Sequence, residues 1–172
     1  MIKLLPWFER VFPSGLPVHL LPVVVERLRG TPARVADRLT GVPAGVLVRR
    51  PGGSWSIQEN VGHLLDLEPL WRQRAGDLAA RRAALAEADL TNRRTHEAAH
   101  NDARLDGLRA EFGRARGELV RLLEGFAEDG AAFAARHPRL NQPMNVVDLG
   151  YFVAEHDDYH LARITELLTA GS

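Results

Sequence analysis

Asn145-Val-Val-Asp-Leu-Gly-Tyr-Phe-Val-Ala-Glu-His-Asp-Asp-Tyr-His-Leu-Ala-Arg-Ile-Thr-Glu-Leu-Leu168 is the stretch whose reading decides the fold. It holds no proline, and its only glycine is Gly150. Leu149, Phe152, Val153, Ile164, Leu167 and Leu168 recur at intervals that place them on one stripe of an α-helix. His156 and His160 fall on the same stripe, four residues apart, hence about 6 Å along the axis. Two imidazoles at that spacing can grip one divalent metal. A lone histidine on an apolar face is more often a core residue whose ring nitrogens are hydrogen-bonded. A metal site needs at least a third ligand from elsewhere in the chain.

Outward from this helix, the rest of the chain also reads as helical. A helix from about Leu105 to Ala127 carries Leu108, Phe112, Leu119, Leu123 and Phe126 on one face. Residues 128–143 read as a loop, with His137 before a proline and expected to be exposed. Ser54-Trp-Ser-Ile-Gln-Glu59 opens another helix, in which Ser56 and Glu59 have the spacing of a capping box. Its apolar face runs from Ile57 to Leu78, with Pro69 expected to kink it. His63 sits at the edge of that face, a third imidazole on a second helix. The first helix spans about Pro17 to Leu39 and is expected to break at Gly30-Thr31-Pro32, where Thr31 can cap a restarted half. An arm over residues 1–15 carries Trp7, Phe8 and Phe12, expected to lie on the bundle or on a partner subunit. The connector 79–102 holds His96 and His100, read as polar with no apolar stripe around them. Four helices without strand alternation predict an all-α four-helix bundle with an N-terminal arm and long loops, one domain over residues 1–172.

Composition narrows the function. Basic and acidic residues balance at 22 each, which argues against a nucleic-acid partner. There is no cysteine, so a protein thiolate nucleophile is excluded and any metal must rest on histidine and carboxylate. Pro6, Glu9 and Arg10 interrupt the N-terminus too early for a signal peptide, and no apolar run reaches the length of a membrane span. A cytoplasmic protein without a membrane partner is expected.

Trp55-Ser-Ile-Gln-Glu-Asn-Val-Gly-His-Leu64, Phe152-Val-Ala-Glu-His-Asp-Asp-Tyr-His-Leu161 and Glu26-Arg-Leu-Arg-Gly-Thr-Pro-Ala-Arg34 together resemble the DinB-like (DinB/YfiT) family of metalloenzymes. The motifs occur in the family's order across nearly the whole chain. The resemblance implies a four-helix bundle of variant topology and a divalent metal, zinc or nickel, on His63, His156 and His160. Characterised relatives include thiol S-transferases and a thiol-dependent isomerase, while many members have no known activity.

Three neutral imidazoles would leave an open coordination position, the catalytic rather than the structural arrangement. A water or a low-molecular-weight thiol there would be activated. The expected function is therefore a metal-dependent S-transferase or hydrolase acting on a small molecule. The alternative is a metal-binding bundle without catalysis, serving stress response or interaction. Asp157 stands where the zinc-protease motif has a glutamate, one methylene longer, and is a candidate base beside Glu59. Glu59 either orients His63 from one turn away or only closes the capping box. His100 and Asn101 are candidate substrate contacts, should their loop cover the open position. The aromatic arm suggests a homodimer.

Overall fold

The computed structural model describes residues 2–169. Met1 and residues 170–172, the ends of the expected 1–172 domain, lie outside the described residues. The helices are α1 (Leu21–Arg38), α2 (Ala44–Leu47), α3 (Ile57–Ala79), α4 (Arg93–Glu97), α5 (Leu105–Glu124), α6 (Glu128–Ala132) and α7 (Val146–Thr169). Two residue pairs, β1 (Ala135–Arg136) and β2 (Pro143–Met144), form an antiparallel ribbon. Local chemistry starts the two helices that carry the histidines. Ser56 Oγ accepts from the Glu59 N–H (3.0 Å) and the Glu59 carboxylate from the Ser56 N–H (2.8 Å), the expected capping box. Asn145 and Asp148 make the same reciprocal pair at the start of α7 (2.9 and 3.0 Å). Asp148 also accepts from Gly15 and Leu16 N–H (2.9 and 2.8 Å), which ties down the arm.

The expected break at Gly30-Thr31-Pro32 does not occur: α1 is continuous with Pro32 inside it. A proline at that point leaves the Leu28 carbonyl without its helical donor. Arg116 Nη1 supplies one from α5, at 3.3 Å. The 128–143 loop is also more ordered than expected. It folds into α6 and the ribbon, and it buries His137 rather than exposing it.

α1 and α3 each pack against α5 and α7. Helices that neighbour one another in sequence, α1 and α3 or α5 and α7, therefore lie on diagonals, and segments 39–56 and 125–145 cross over between them. This is a four-helix bundle with two crossovers. At its centre each long helix contributes one polar side chain. Arg116 of α5, 1% exposed, donates to Glu68 of α3 (Nε–Oε1 2.9 Å, Nη2–Oε1 2.6 Å). It also donates to Asp157 of α7, through Nη2 to Oδ1 (3.0 Å) and through Nη1 to Oδ2. Thr31 of α1 donates its hydroxyl to Asp157 Oδ2 (2.8 Å). Burial pushes Glu68 up to about 7 despite the Arg116 charge. Burial opposes the Arg116 charge too, but its two carboxylates hold the guanidinium above its ordinary value. A group of this kind fixes geometry more than it adds stability. Asp157 is the residue next to His156, so this group ties α7 to α1, α3 and α5 beside the histidine pair.

The arm lies on its own chain. Phe12 is buried, and the Trp7 ring sits 4.9 Å from Phe12 and 5.1 Å from Phe152. Of the three aromatics behind the homodimer expectation, Phe8 alone stays largely exposed, at 58%. No helix of the described residues is long and apolar enough to cross a membrane.

Candidate metal centre

α3 and α7 bring His63, His156 and His160 together. The candidate ligand atoms of these buried side chains all lie within 4.8 Å of one another. Neighbouring groups decide which ring nitrogens are free. Asn60 Nδ2 donates to the Ser56 carbonyl (2.7 Å), so Asn60 Oδ1 is the atom 2.8 Å from His160 Nδ1. An amide oxygen can only accept, so His160 carries its proton on Nδ1 and leaves Nε2 bare. Thr95 gives its hydroxyl proton to Asp66 Oδ2 (2.8 Å) and must accept from His63 Nδ1 (2.9 Å). His63 Nε2 is therefore bare as well. Burial alone would raise Asp66, but hydrogen bonds from His100 and Thr95 and the charge of Arg94 hold it below the usual carboxylate range. His156 Nδ1 is buried with no hydrogen-bond partner among the described residues. Two oriented imidazoles and one unanswered buried nitrogen fit a divalent metal, which prefers such second contacts behind its histidine ligands. Asn60→Leu or Thr95→Val should therefore weaken metal binding by about 10- to 100-fold with the fold retained. Competition with a chromophoric chelator measures this, and unchanged affinity in both variants would remove the orienting role.

Burial lowers His63 to about 4, against the charge of Asp66. Burial likewise holds His156 and His160 well below their ordinary value. All three are neutral at pH 7, as metal binding requires. The unfolded chain takes up protons below about 6.5, while the folded chain refuses them until about 4 at His63. Stability is full above 6.5 and falls as the pH drops through that window. The metal-free protein should thus lose melting temperature steadily from pH 7 to 4.5, and a flat profile would contradict neutral buried imidazoles. Metal release is accordingly expected below the roughly pH 5 to 6 of ordinary histidines.

The cluster opens on a cavity of about 550 Å³. Trp55 lies 4.7 Å from the His63 ring and Trp7 lies 5.0 Å from the His156 ring, while Tyr159 stands 5.3 Å from His160. Four other residues singled out from the sequence are placed elsewhere. Asp157 is held by Arg116 and Thr31 and does not line the cavity. Glu59 closes the capping box and pairs with Arg50, and also lies outside the lining. Burial would raise Glu59, but the Arg50 and Ser56 hydrogen bonds bring it down to about 2, too weak a base to take a proton at neutral pH. His100 is buried against Gly62, where any side chain would overlap its ring, and Nε2 donates to Asp66 (2.8 Å). Asn101 Oδ1 accepts from Ser56 Oγ (2.6 Å). These two brace α3 from behind rather than face the cavity. Asn60 and Asp66, one turn before and after His63, were visible in the sequence at helical spacing. Thr95 carried no such signal.

A sequence model of the DinB superfamily matches residues 27–164. The chain belongs to this superfamily. No curated protein matches it. Among solved structures it is similar to YfiT from Bacillus subtilis, described as a probable metal-dependent hydrolase with an unusual four-helix bundle topology. The two share 19% identity at a TM-score of 0.78, over 92% of this chain and 91% of that one. At that identity the likeness concerns the fold. The superfamily match and the two-crossover bundle agree with the fold expected from the motifs.

Proposed function

We propose that this superfamily member is a metal-dependent enzyme acting on a small molecule, with His63, His156 and His160 as ligands. The observation that carries the reading is the set of three buried, neutral imidazoles whose candidate ligand nitrogens lie within 4.8 Å of one another beside a cavity. A divalent ion held there, zinc or nickel as the family resemblance implies, would supply the positive charge that acidifies a water or a thiol. Asn60 and Thr95 keep the Nδ1 protons of His160 and His63 away from the ligand side. Trp55 and Trp7 cover the cluster and limit water. With Asp157 and Glu59 engaged elsewhere, we assign Tyr159, whose hydroxyl-bearing ring lines the cavity beside His160, the hydrogen bond to the reacting group.

Hydrolysis is the first reading, since the similar fold of YfiT is described as that of a probable metal-dependent hydrolase. Thiol transfer is the second, favoured by a cavity with room for a thiol and an electrophile together. The test loads stripped protein with zinc or nickel. It then assays ester and amide hydrolysis in one arm, and consumption of an electrophile with a low-molecular-weight thiol in the other. Metal-dependent turnover in either arm is expected. Loaded protein that turns over neither, with spectroscopy showing a protein side chain in the fourth position, would instead support a non-catalytic metal-binding bundle.

A further inference from the structure

Four buried side-chain atoms lack a hydrogen-bond partner among the described residues: Glu68 Oε2, Trp71 Nε1, Arg139 Nη2 and His156 Nδ1. The last three belong to residues that all line the cavity beside the histidines. Trp71 Nε1 and Arg139 Nη2 can only donate, so what is missing opposite them is an acceptor. Arg74 lines the same wall and is 2% exposed. Its carboxylate neighbour Asp77 accepts from the Ala86 N–H (2.8 Å) and pairs with Arg82 (3.2 Å). Arg74 itself donates to the Ala86 carbonyl (2.9 Å) and points Nη1 at His137 Nε2 (3.0 Å). Glu87 and Asp89 also line the cavity, but both are exposed, and neither forms an ion pair with Arg74 or Arg139.

His137 deepens the shortage. Its Nδ1 accepts from the Leu140 N–H (3.1 Å) while Nε2 faces Arg74, so two donors meet one ring. A neutral imidazole has a single lone pair to offer. Burial and the charges of Arg74 and Arg139 hold His137 down to about 3, so the ring is neutral. Burial first, and then the Arg139 charge, lowers Arg74 to about 10, which still leaves it a cation at pH 7. A buried guanidinium whose nearby carboxylate is shared with Arg82, beside a second one with an unanswered buried N–H, is costly unless something else answers them.

We propose that Arg74, Arg139 and Trp71 form a subsite for the carboxylate of a small organic acid, the body of which lies along Trp71 and Phe152 toward the histidines. The two unpartnered N–H groups match the two oxygens of a carboxylate, whereas a phosphoryl group has three to satisfy. Arg74 stacks over Trp71 (5.5 Å) and Arg139 over Phe152 (5.9 Å). Trp71 lies 5.6 Å from the His156 ring, so one aromatic layer separates the cationic wall from the cluster. The subsite names a substrate class for the proposed reaction and rests on the cavity being its site.

The test uses metal-free protein in a buffer without carboxylate or phosphate, titrated calorimetrically with benzoate, benzamide and phenylphosphonate. Benzoate should bind about tenfold or more tightly than neutral benzamide. Arg139→Gln should lose about tenfold or more in benzoate affinity, while Arg38→Gln on the far surface should not. Arg139 is only half-buried, so its replacement leaves the fold intact even should Arg74→Gln fail to fold. Absence of benzoate binding, equal binding of benzamide, or an unchanged Arg139→Gln would overturn the subsite. Tighter binding of phenylphosphonate would overturn its assignment to a carboxylate. Protein that takes up metal but ignores benzoate refutes the subsite alone. Protein that binds benzoate but takes up no metal refutes the metal reading alone.

Discussion

Alanine in place of His63, His156 or His160 is expected to abolish the thermal shift that a divalent metal gives the stripped wild-type protein. Metal at a hundredfold over its dissociation constant stabilises a fold by about 2.7 kcal/mol. For a chain of this length that is a rise of roughly 5 to 10 °C in melting temperature. Each ligand variant leaves two imidazoles, which rarely hold zinc tightly alone. His19→Ala and His96→Ala, both exposed, should keep the full shift. Removing a buried imidazole can itself stabilise the metal-free bundle, so each variant is compared with and without metal. A ligand variant that retains the wild-type shift, measured by scanning calorimetry, would show that its residue is not a ligand. His100→Ala is expected to keep metal with reduced affinity, because it loosens Asp66 and through it the Thr95–His63 hydrogen bond.

Arg116→Met is expected to be the most destabilising single change in the bundle. It would strand Glu68 and Asp157, both fully buried carboxylates, without their cation. It would also leave the Leu28 carbonyl, freed by Pro32, without a donor. Breaking one partner of a buried pair costs about 3–5 kcal/mol, a fall of roughly 10 °C or more in melting temperature for this size. The sign can be checked with a companion variant. Replacing Glu68, Arg116 and Asp157 together by apolar residues should recover much of the loss, since buried ion groups are often no more stable than apolar packing. Metal affinity should not recover with it, because the polar group no longer ties α7 to α1, α3 and α5 beside the histidine pair. Full metal affinity in the apolar triple variant would separate the polar group from the alignment of the histidines.

What the sequence determined by itself was local and periodic. The stripe from Leu149 to Leu168 with His156 and His160 on it and the Ser56–Glu59 box depend on residues within a few positions of one another. Helical repeat and capping chemistry make such features legible before any fold is known. The all-α bundle and the meeting of His63 with the α7 pair were legible in the same way, with the family's motif order added. What only the tertiary structure decided concerns partners far apart in the chain. Pro32 stays inside α1 because Arg116, 84 positions on, supplies the missing donor. Asp157 reads as a base beside His156 until Arg116 and Thr31 take its carboxylate. His137, before a proline in a polar stretch, is buried by Arg74 and the ribbon. Local periodicity says which face a side chain occupies, but the charge or hydroxyl that meets it there comes from another helix, and only packing brings the two together.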